Sequence, residues 1–197
     1  DAADFGEIEL AGVKVAASAR LLGGESFTKA TLRFFLKHAL AVGARAVGLS
    51  RFAFDIAREY CDTRKAFGKP IGHFQAVAFN LADRAMDVDS ARWLVWRAAA
   101  AWDGKKKDDV AMLQSAQAVA FALEAAMRTA DDCVSLHGGA GFIRDLVAEK
   151  LTRDAKQLAL TCPTAEQLDQ IASAIELGAP LDPALVLPTP DCQAIFT

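Results

Sequence analysis

The segment from Thr63 to Gln75, which reads TRKAFGKPIGHFQ, has residue types suited to holding a phosphorylated cofactor. Arg64 offers a planar fork of hydrogen-bond donors that matches a phosphate, and Phe67 could lie against a flat ring. Gly68 lets the backbone approach a ligand closely. Structural roles fit equally well, since Arg64 could be a solvated helix end and Phe67 a packing contact at a helical corner. Residue types alone therefore leave both interpretations open.

A second turn, LHGGAGF, spans Leu136 to Phe142 and contains three glycines. Gly138 and Gly139 could bring the backbone close to a ligand, but such glycines also end a helix without one. Further along the chain, Thr164 to Gln167 reads TAEQ, the pattern of a helix capping box.

Long helices are the elements that must position these turns. Apolar residues recur at helical spacing over most of the chain, and Asp103-Gly104 and the glycines of LHGGAGF mark helix ends. Three long helices with short joints predict a mainly α fold, an up-and-down four-helix-type bundle. The predicted helices cover about 26–62, 74–102, 108–136, 145–159 and 164–178.

The two ends of the chain have a different pattern. In residues 1–24, Ile8 and Leu10 alternate with glutamates and Val13 and Val15 follow, which predicts two short strands, a β remnant. Two strands alone are only marginally stable, so they need a sheet supplied from elsewhere. Residues 25–178 form the predicted bundle, and the proline-rich residues 179–197 are expected to be a surface arm.

Composition excludes several functional classes. The 197 residues carry a net charge of −3 with acidic and basic residues interspersed, so no nucleic-acid partner is expected. No apolar run reaches the about 18 residues needed to span a bilayer, and Asp1 opens no signal sequence, so we expect a cytoplasmic protein without membrane insertion. The four cysteines are far apart, which predicts reduced core thiols and no metal site; they are Cys61, Cys133, Cys162 and Cys192.

RKAFGKPIGHFQA closely resembles a turn of the acyl-CoA dehydrogenase family, and the resemblance continues in order along the chain. NLADRAMDVDSA resembles the next helix of the family, LHGGAGF its glycine turn, and KLTRDAK the basic helix before its active-site loop. At the front, EIELAGVKVAASARLLGGE resembles the end of the family's β-domain. The resemblance runs from about Glu7 to Gly178 and starts near the middle of the family pattern, which predicts a fragment or a processed product.

The resemblance implies FAD as the cofactor. It implies that the 64–75 turn contacts the FAD of a neighbouring subunit, with Arg64 facing the pyrophosphate, and that the glycine turn approaches the adenosine end. Ser135 stands where the family usually has a glutamine that also touches FAD, so that contact is weakened. The residues assigned to the cofactor on this basis are Arg64, Phe67, Gln75, Gly138, Gly139 and Thr164.

The catalytic carboxylate of the family is missing. The family reaction removes a proton from the α-carbon of an acyl-CoA thioester, using a glutamate shortly after the RDAK segment or, in some members, one in the first long helix. Cys162 and His38 stand at these two positions. Imidazole titrates near neutral pH and a stabilised thiolate can be a nucleophile. A packed or surface histidine and a core cysteine are the simpler interpretations, so we assign no catalytic residue.

Three functions remain open. The first is a subunit of a heteromeric acyl-CoA dehydrogenase, such as those acting on sterol side-chain CoA thioesters, in which a homologous subunit supplies the base. Its implied partners are that subunit in a dimer or tetramer, acyl-CoA, and electron-transfer flavoprotein or a similar acceptor. The second is a flavin-dependent oxidase or monooxygenase on the same fold, and the third a non-catalytic assembly subunit. The apolar first helix, with Trp93, Trp96 and Trp102, predicts at least a dimer.

Overall fold

Three long helices dominate the computed structural model, which describes residues 9–19, 25–104 and 107–185. The α-helices are α1 (Glu25–Thr63), α2 (Gln75–Asp103), α3 (Asp108–His137), α4 (Gly139–Phe142), α5 (Ala148–Ala159) and α6 (Ala165–Leu177). Two two-residue strands, β1 (Lys65–Ala66) and β2 (Lys69–Pro70), pair antiparallel between α1 and α2. The predicted mainly helical bundle is confirmed.

Helix α3 is the centre of the bundle, and α1, α2, α5 and α6 all pack against it. Alanines at Ala116, Ala122 and Ala126 are fully buried, which lets the neighbouring helices approach closely. Among the described residues, α3 is the one helix long and apolar enough to cross a membrane. Of its most apolar 18-residue stretch, 61% is buried inside the bundle. Its apolar character is therefore accounted for by the core.

Helices α1 and α3 run parallel and in register. Near their starts, Lys29 pairs with Asp109 at 2.6 Å and Arg33 with Asp108 at 3.0 Å. Near their ends, the rings of Tyr60 and His137 stack with centroids 4.3 Å apart. The turns that follow these two helices consequently lie at the same end of the bundle.

The predicted helix bounds agree with the structure except before α5. The prediction starts that helix at Asp145, whereas it begins at Ala148 after an extended Ile143 and a short turn. The four-residue α4 was not predicted. The prediction for α6 is confirmed in detail, because Thr164 and Gln167 form the capping box and Gly178 ends the helix at φ 65°.

Two surface features differ from the sequence predictions. Residues 9–19 contain no strand but only a 3-10 turn over Ala17–Ala19, and Ile8 lies outside the described residues. Nothing in the described residues pairs with Val13 or Val15, as expected of strands that lack a sheet. Trp102, which the sequence analysis counts among the exposed apolar side chains, is partly buried. Its Nε1 donates to Ser115 Oγ at 2.8 Å, and Arg33 lies over its ring. The domain boundaries at 24 and 178 stay predictions.

Candidate functional site

The joint between α1 and α2 is a tight hairpin. The last turn of α1 continues into it, since the Arg64 N–H donates to Tyr60 O at 2.8 Å. The hairpin turn consists of Phe67 and Gly68, with φ of 50° and 84°. Positive φ at both central residues is the geometry of a two-residue turn that matches the twist of the flanking strands. The Ile71 N–H then donates to Arg64 O at 2.8 Å and closes the joint, so its backbone is fixed.

Phe67 is the unusual residue of this joint. It is the one non-glycine residue at positive φ in the described part of the chain, and its side chain is 97% exposed. Its ring meets Phe74 only edge-on, with centroids 6.2 Å apart. A bulky residue in this backbone region is strained, at a cost of about 1–3 kcal/mol. The corner-packing interpretation of Phe67 is therefore wrong, because almost none of the ring is buried.

Arg64 and Gln75 lie on the same joint with their polar groups free for a ligand. Both side chains are exposed, and Arg64 forms no ion pair with any residue that the structure describes. A guanidinium, a primary amide and an exposed ring match a group that carries phosphates and planar rings. This donor set fits FAD. The set lies on an open surface of the described residues.

The glycine turn after α3 lies at the same end of the bundle. Gly138 has φ 58° and ψ −138°, a conformation that favours glycine, and a Cβ on Gly138 or Gly139 would meet open space. A Cβ on Gly141 would instead lie 2.4 Å from Val134 O, so this third glycine is required by packing of α4 on α3. Gly141 was not singled out from the sequence, although the LHGGAGF pattern contains it.

The other predicted cofactor residue, Thr164, lies elsewhere. Helix α5 packs next to α4, and its 12 residues span about 18 Å before Thr164 is reached. There the Thr164 N–H donates to Gln167 Oε1 at 2.9 Å, and Thr164 Oγ1 accepts from the Gln167 N–H at 3.3 Å. Helix capping explains Thr164 without a ligand, and its cofactor role stays a prediction.

The resemblance assigns His38 and Cys162 to the two positions of the family carboxylate, and the structure sets up neither of them as a base. His38 is exposed on α1 and its ring lies against that of Phe34, with centroids 4.5 Å apart. The Cys162 thiol is half-buried and donates to Pro163 O at 3.6 Å. Burial raises the pKa of Cys162 to about 11, so the thiol stays protonated at neutral pH.

The Cys162 thiol is expected to resist alkylation by iodoacetamide up to about pH 9 and to react faster only as the pH approaches 11. The folded-state pKa of about 11 exceeds the unfolded value of about 8.5, so the protonated thiol stabilises the fold below pH 8.5 and that contribution disappears as the pH rises to 11. Peptide mass spectrometry measures labelling at Cys162 separately from the other cysteines. Fast labelling of Cys162 at pH 7 would contradict the raised pKa of its thiol. The urea-unfolded chain, in which Cys162 is accessible, is the control.

Residues 21–175 match the family model described as acyl-CoA dehydrogenase, C-terminal domain. The chain belongs to the acyl-CoA dehydrogenase family. Members of this family are FAD-dependent flavoproteins, so the cofactor predicted from the resemblance is confirmed at family level.

Individual relatives agree with this assignment. The chain is 36% identical over 146 residues to 3-sulfinopropanoyl-CoA desulfinase of Paraburkholderia xenovorans, an alignment covering 73% of this chain and 37% of that one. It is 44% identical over 115 residues to a probable acyl-CoA dehydrogenase of Mycobacterium tuberculosis, covering 58% and 29% of the two chains. The structure resembles butyryl-CoA dehydrogenase from Megasphaera elsdenii with a TM-score of 0.71 and 30% identity, covering 76% and 38%. The chain thus spans well under half the length of each.

Proposed function

We propose that this chain is the C-terminal helical part of an acyl-CoA dehydrogenase-type subunit, and that its α1–α2 joint completes an FAD site shared with a neighbouring subunit. The observation that carries the proposal is Phe67, a 97% exposed ring held at positive φ. Strained residues persist where the surroundings or a function require them. Since no described residue covers this ring, a ligand is the best physical account of it.

Each residue at this end of the bundle would contact a different part of FAD. Arg64 would hold the pyrophosphate through a bidentate, charge-assisted contact, and Gln75 would donate its amide beside it. Phe67 would lie against a flat part of the cofactor. Gly138 and Gly139 leave their backbone open to the adenosine end, because no side chain stands there. When bound, FAD supplies the acceptor for a hydride from the β-carbon of the substrate.

The base for α-proton removal would come from a homologous subunit. Neither position of the family carboxylate holds one here, and the Cys162 thiol remains protonated at neutral pH. The proposed assembly is therefore a heteromeric dimer or tetramer in the cytoplasm that acts on acyl-CoA, with sterol side-chain CoA thioesters as one substrate class. Electrons would leave through electron-transfer flavoprotein or a similar acceptor.

A second candidate is a flavoenzyme with altered chemistry on a CoA thioester. The name of the Paraburkholderia xenovorans relative, 3-sulfinopropanoyl-CoA desulfinase, describes a reaction other than dehydrogenation. A reaction that releases a leaving group without abstracting an α-proton would need no carboxylate at the positions of His38 and Cys162. A flavin-dependent oxidase or monooxygenase belongs to the same alternative.

Native mass spectrometry of the complex purified from its source, combined with its flavin absorbance spectrum, tests these proposals. We expect bound FAD and a second, related chain that carries the glutamate. Bound FAD with this chain as the only polypeptide would favour the altered chemistry. A complex without flavin would overturn both and leave a non-catalytic assembly subunit.

A further inference from the structure

The ends of α1 and α3 meet through an aromatic stack formed by Tyr60 and His137. The ring centroids are 4.3 Å apart and the ring planes are inclined by 29°. Cys61 and His137 are the last buried residues of their helices, and the two residues that follow each of them are exposed. The stack therefore lies where the core ends and where the α1–α2 joint and the glycine turn begin.

The α1–α2 joint is attached firmly to the helix end that carries Tyr60. Tyr60 O accepts the Arg64 N–H at 2.8 Å, so the residue that would hold the pyrophosphate is bonded to a residue of the stack. On the return side of the joint, a Cβ on Gly72 would lie 3.2 Å from Cys61 O. The backbone of the joint thus packs directly on the last turn of α1, and a shift of Tyr60 would carry the joint with it.

The glycine turn is attached in a similar way to His137. The His137 Nδ1 lies 2.7 Å from Cys133 O and donates to it, because a carbonyl oxygen only accepts. Gly138 follows directly, and its N–H donates to Ser135 O at 3.0 Å. A Cβ on Gly141 would lie 2.9 Å from His137 Cβ, so the turn folds back over this side chain. The placement of His137 therefore sets the placement of the glycine turn.

Core packing alone does not account for the two rings. Nearer the middle of the bundle, α1 and α3 bury small side chains such as Ala57 and Ala130, which are 3% and 0% exposed. A buried histidine is a demanding choice beside them, since both of its ring nitrogens are polar. Aromatic pairs have a preferred geometry, so the stack fixes the separation and tilt of the two helix ends more closely than alanines can.

We propose that Tyr60 and His137 are positioning residues for FAD, and that their stack holds the α1–α2 joint and the glycine turn at the separation that one FAD molecule needs. The inference rests on the proposed function, in which Arg64 holds the pyrophosphate and Gly138 and Gly139 face the adenosine end. A ligand gains fully from two contact regions only when both are already in place, because binding must otherwise order them. Neither ring needs to touch the cofactor.

Fluorescence titration of the purified complex with FAD, after removal of its flavin, tests the stack. Tyr60→Leu should raise the FAD dissociation constant about tenfold, the upper range for loss of an aromatic pair. Tyr60→Phe is the matched control, since it keeps the ring, and should stay within about threefold of the wild type. His137→Asn keeps an N–H donor for Cys133 O but removes the ring, so it should match Tyr60→Leu. Wild-type affinity in Tyr60→Leu and His137→Asn, or an equal loss in Tyr60→Phe, would overturn the proposal.

A double-mutant cycle in the same titration separates positioning from a general loss of stability. Arg64 and His137 belong to different turns, so the effects of Arg64→Ala and His137→Asn should multiply if the stack is only structural. If the stack positions both turns, adding Arg64→Ala to His137→Asn should weaken FAD binding less than about threefold, because the displaced joint no longer makes its full contact. Multiplying effects would disprove the positioning role and leave the FAD site standing. An Arg64→Ala change without effect in the otherwise wild-type chain would instead overturn the proposed FAD site, and this inference with it.

Discussion

Arg64→Ala is expected to lower FAD occupancy of the purified complex at least tenfold without changing the stability of the bundle. A hydrogen bond to a charged group contributes about 1.5–3 kcal/mol, and the proposed pyrophosphate contact is bidentate. Since 1.4 kcal/mol corresponds to a factor of ten, losing one such bond is enough for the predicted effect. Arg64 is exposed and has no ion-pair partner among the described residues, so its removal costs the folded chain little.

Arg58→Ala is the matched control for this experiment. Arg58 is an exposed arginine near the same end of α1, and its removal changes the net charge by the same amount. The flavin-to-protein absorbance ratio and the thermal unfolding midpoint should be measured for both variants. Unchanged occupancy in Arg64→Ala, or equal losses in the two variants, would remove Arg64 from the cofactor site. A lowered midpoint in Arg64→Ala alone would assign it a structural role.

The helices could be predicted from the sequence because their signals are local. A capping box at Thr164 and an αL glycine at Gly178 fix the ends of α6 through hydrogen bonds within a few residues. The apolar spacing of α3 likewise follows from helical geometry, and 15 of its side chains are buried. Such features need no knowledge of which elements become neighbours.

Other features depend on tertiary contacts and could not be predicted. Trp102 looks like surface in the sequence, yet it is held by Ser115 of α3, which lies 13 residues away. Gly141 looks like part of a flexible turn, but its position is required by the closeness of Val134 O. The positive φ of Phe67 could not be predicted either, because nothing in the sequence Ala66-Phe67-Gly68 requires this conformation at a phenylalanine.

The candidate site could be predicted only in part, because residue types do not distinguish a ligand contact from a structural role. Arg64, Phe67 and Gln75 were found from residue types and a family resemblance, and the structure places them on one exposed joint. The role of Thr164 does not follow from the sequence, since capping and cofactor binding both fit a threonine at that position.

The isolated chain is expected to show no acyl-CoA dehydrogenase turnover. Positioned general bases contribute roughly 10² to 10⁴ in rate, and the two candidate positions here offer none. Burial raises the pKa of Cys162 to about 11, and Pro163 restricts the backbone at the position to which the resemblance assigns a flexible glycine. His38 is exposed to solvent, whereas a base for this reaction must be held in a water-poor site. The measurement is an artificial-acceptor assay with a panel of acyl-CoA substrates, for the chain alone and with its co-purified partner.

If the isolated chain does turn over substrate, single substitutions identify the residue responsible. Activity of the isolated chain that disappears in His38→Ala or Cys162→Ala would show that one of these residues is a base after all, and the prediction would be wrong. Activity that survives both changes but is lost in Arg64→Ala would also contradict it, and would point to a base elsewhere in this chain. Cys162→Glu should not restore turnover alone, because a carboxylate at position 162 does not by itself assemble the flavin site that we propose to be shared with a neighbouring subunit. If turnover appears only when the partner is added, and is abolished by replacing the partner's glutamate, the chain contributes flavin binding and the partner contributes the base.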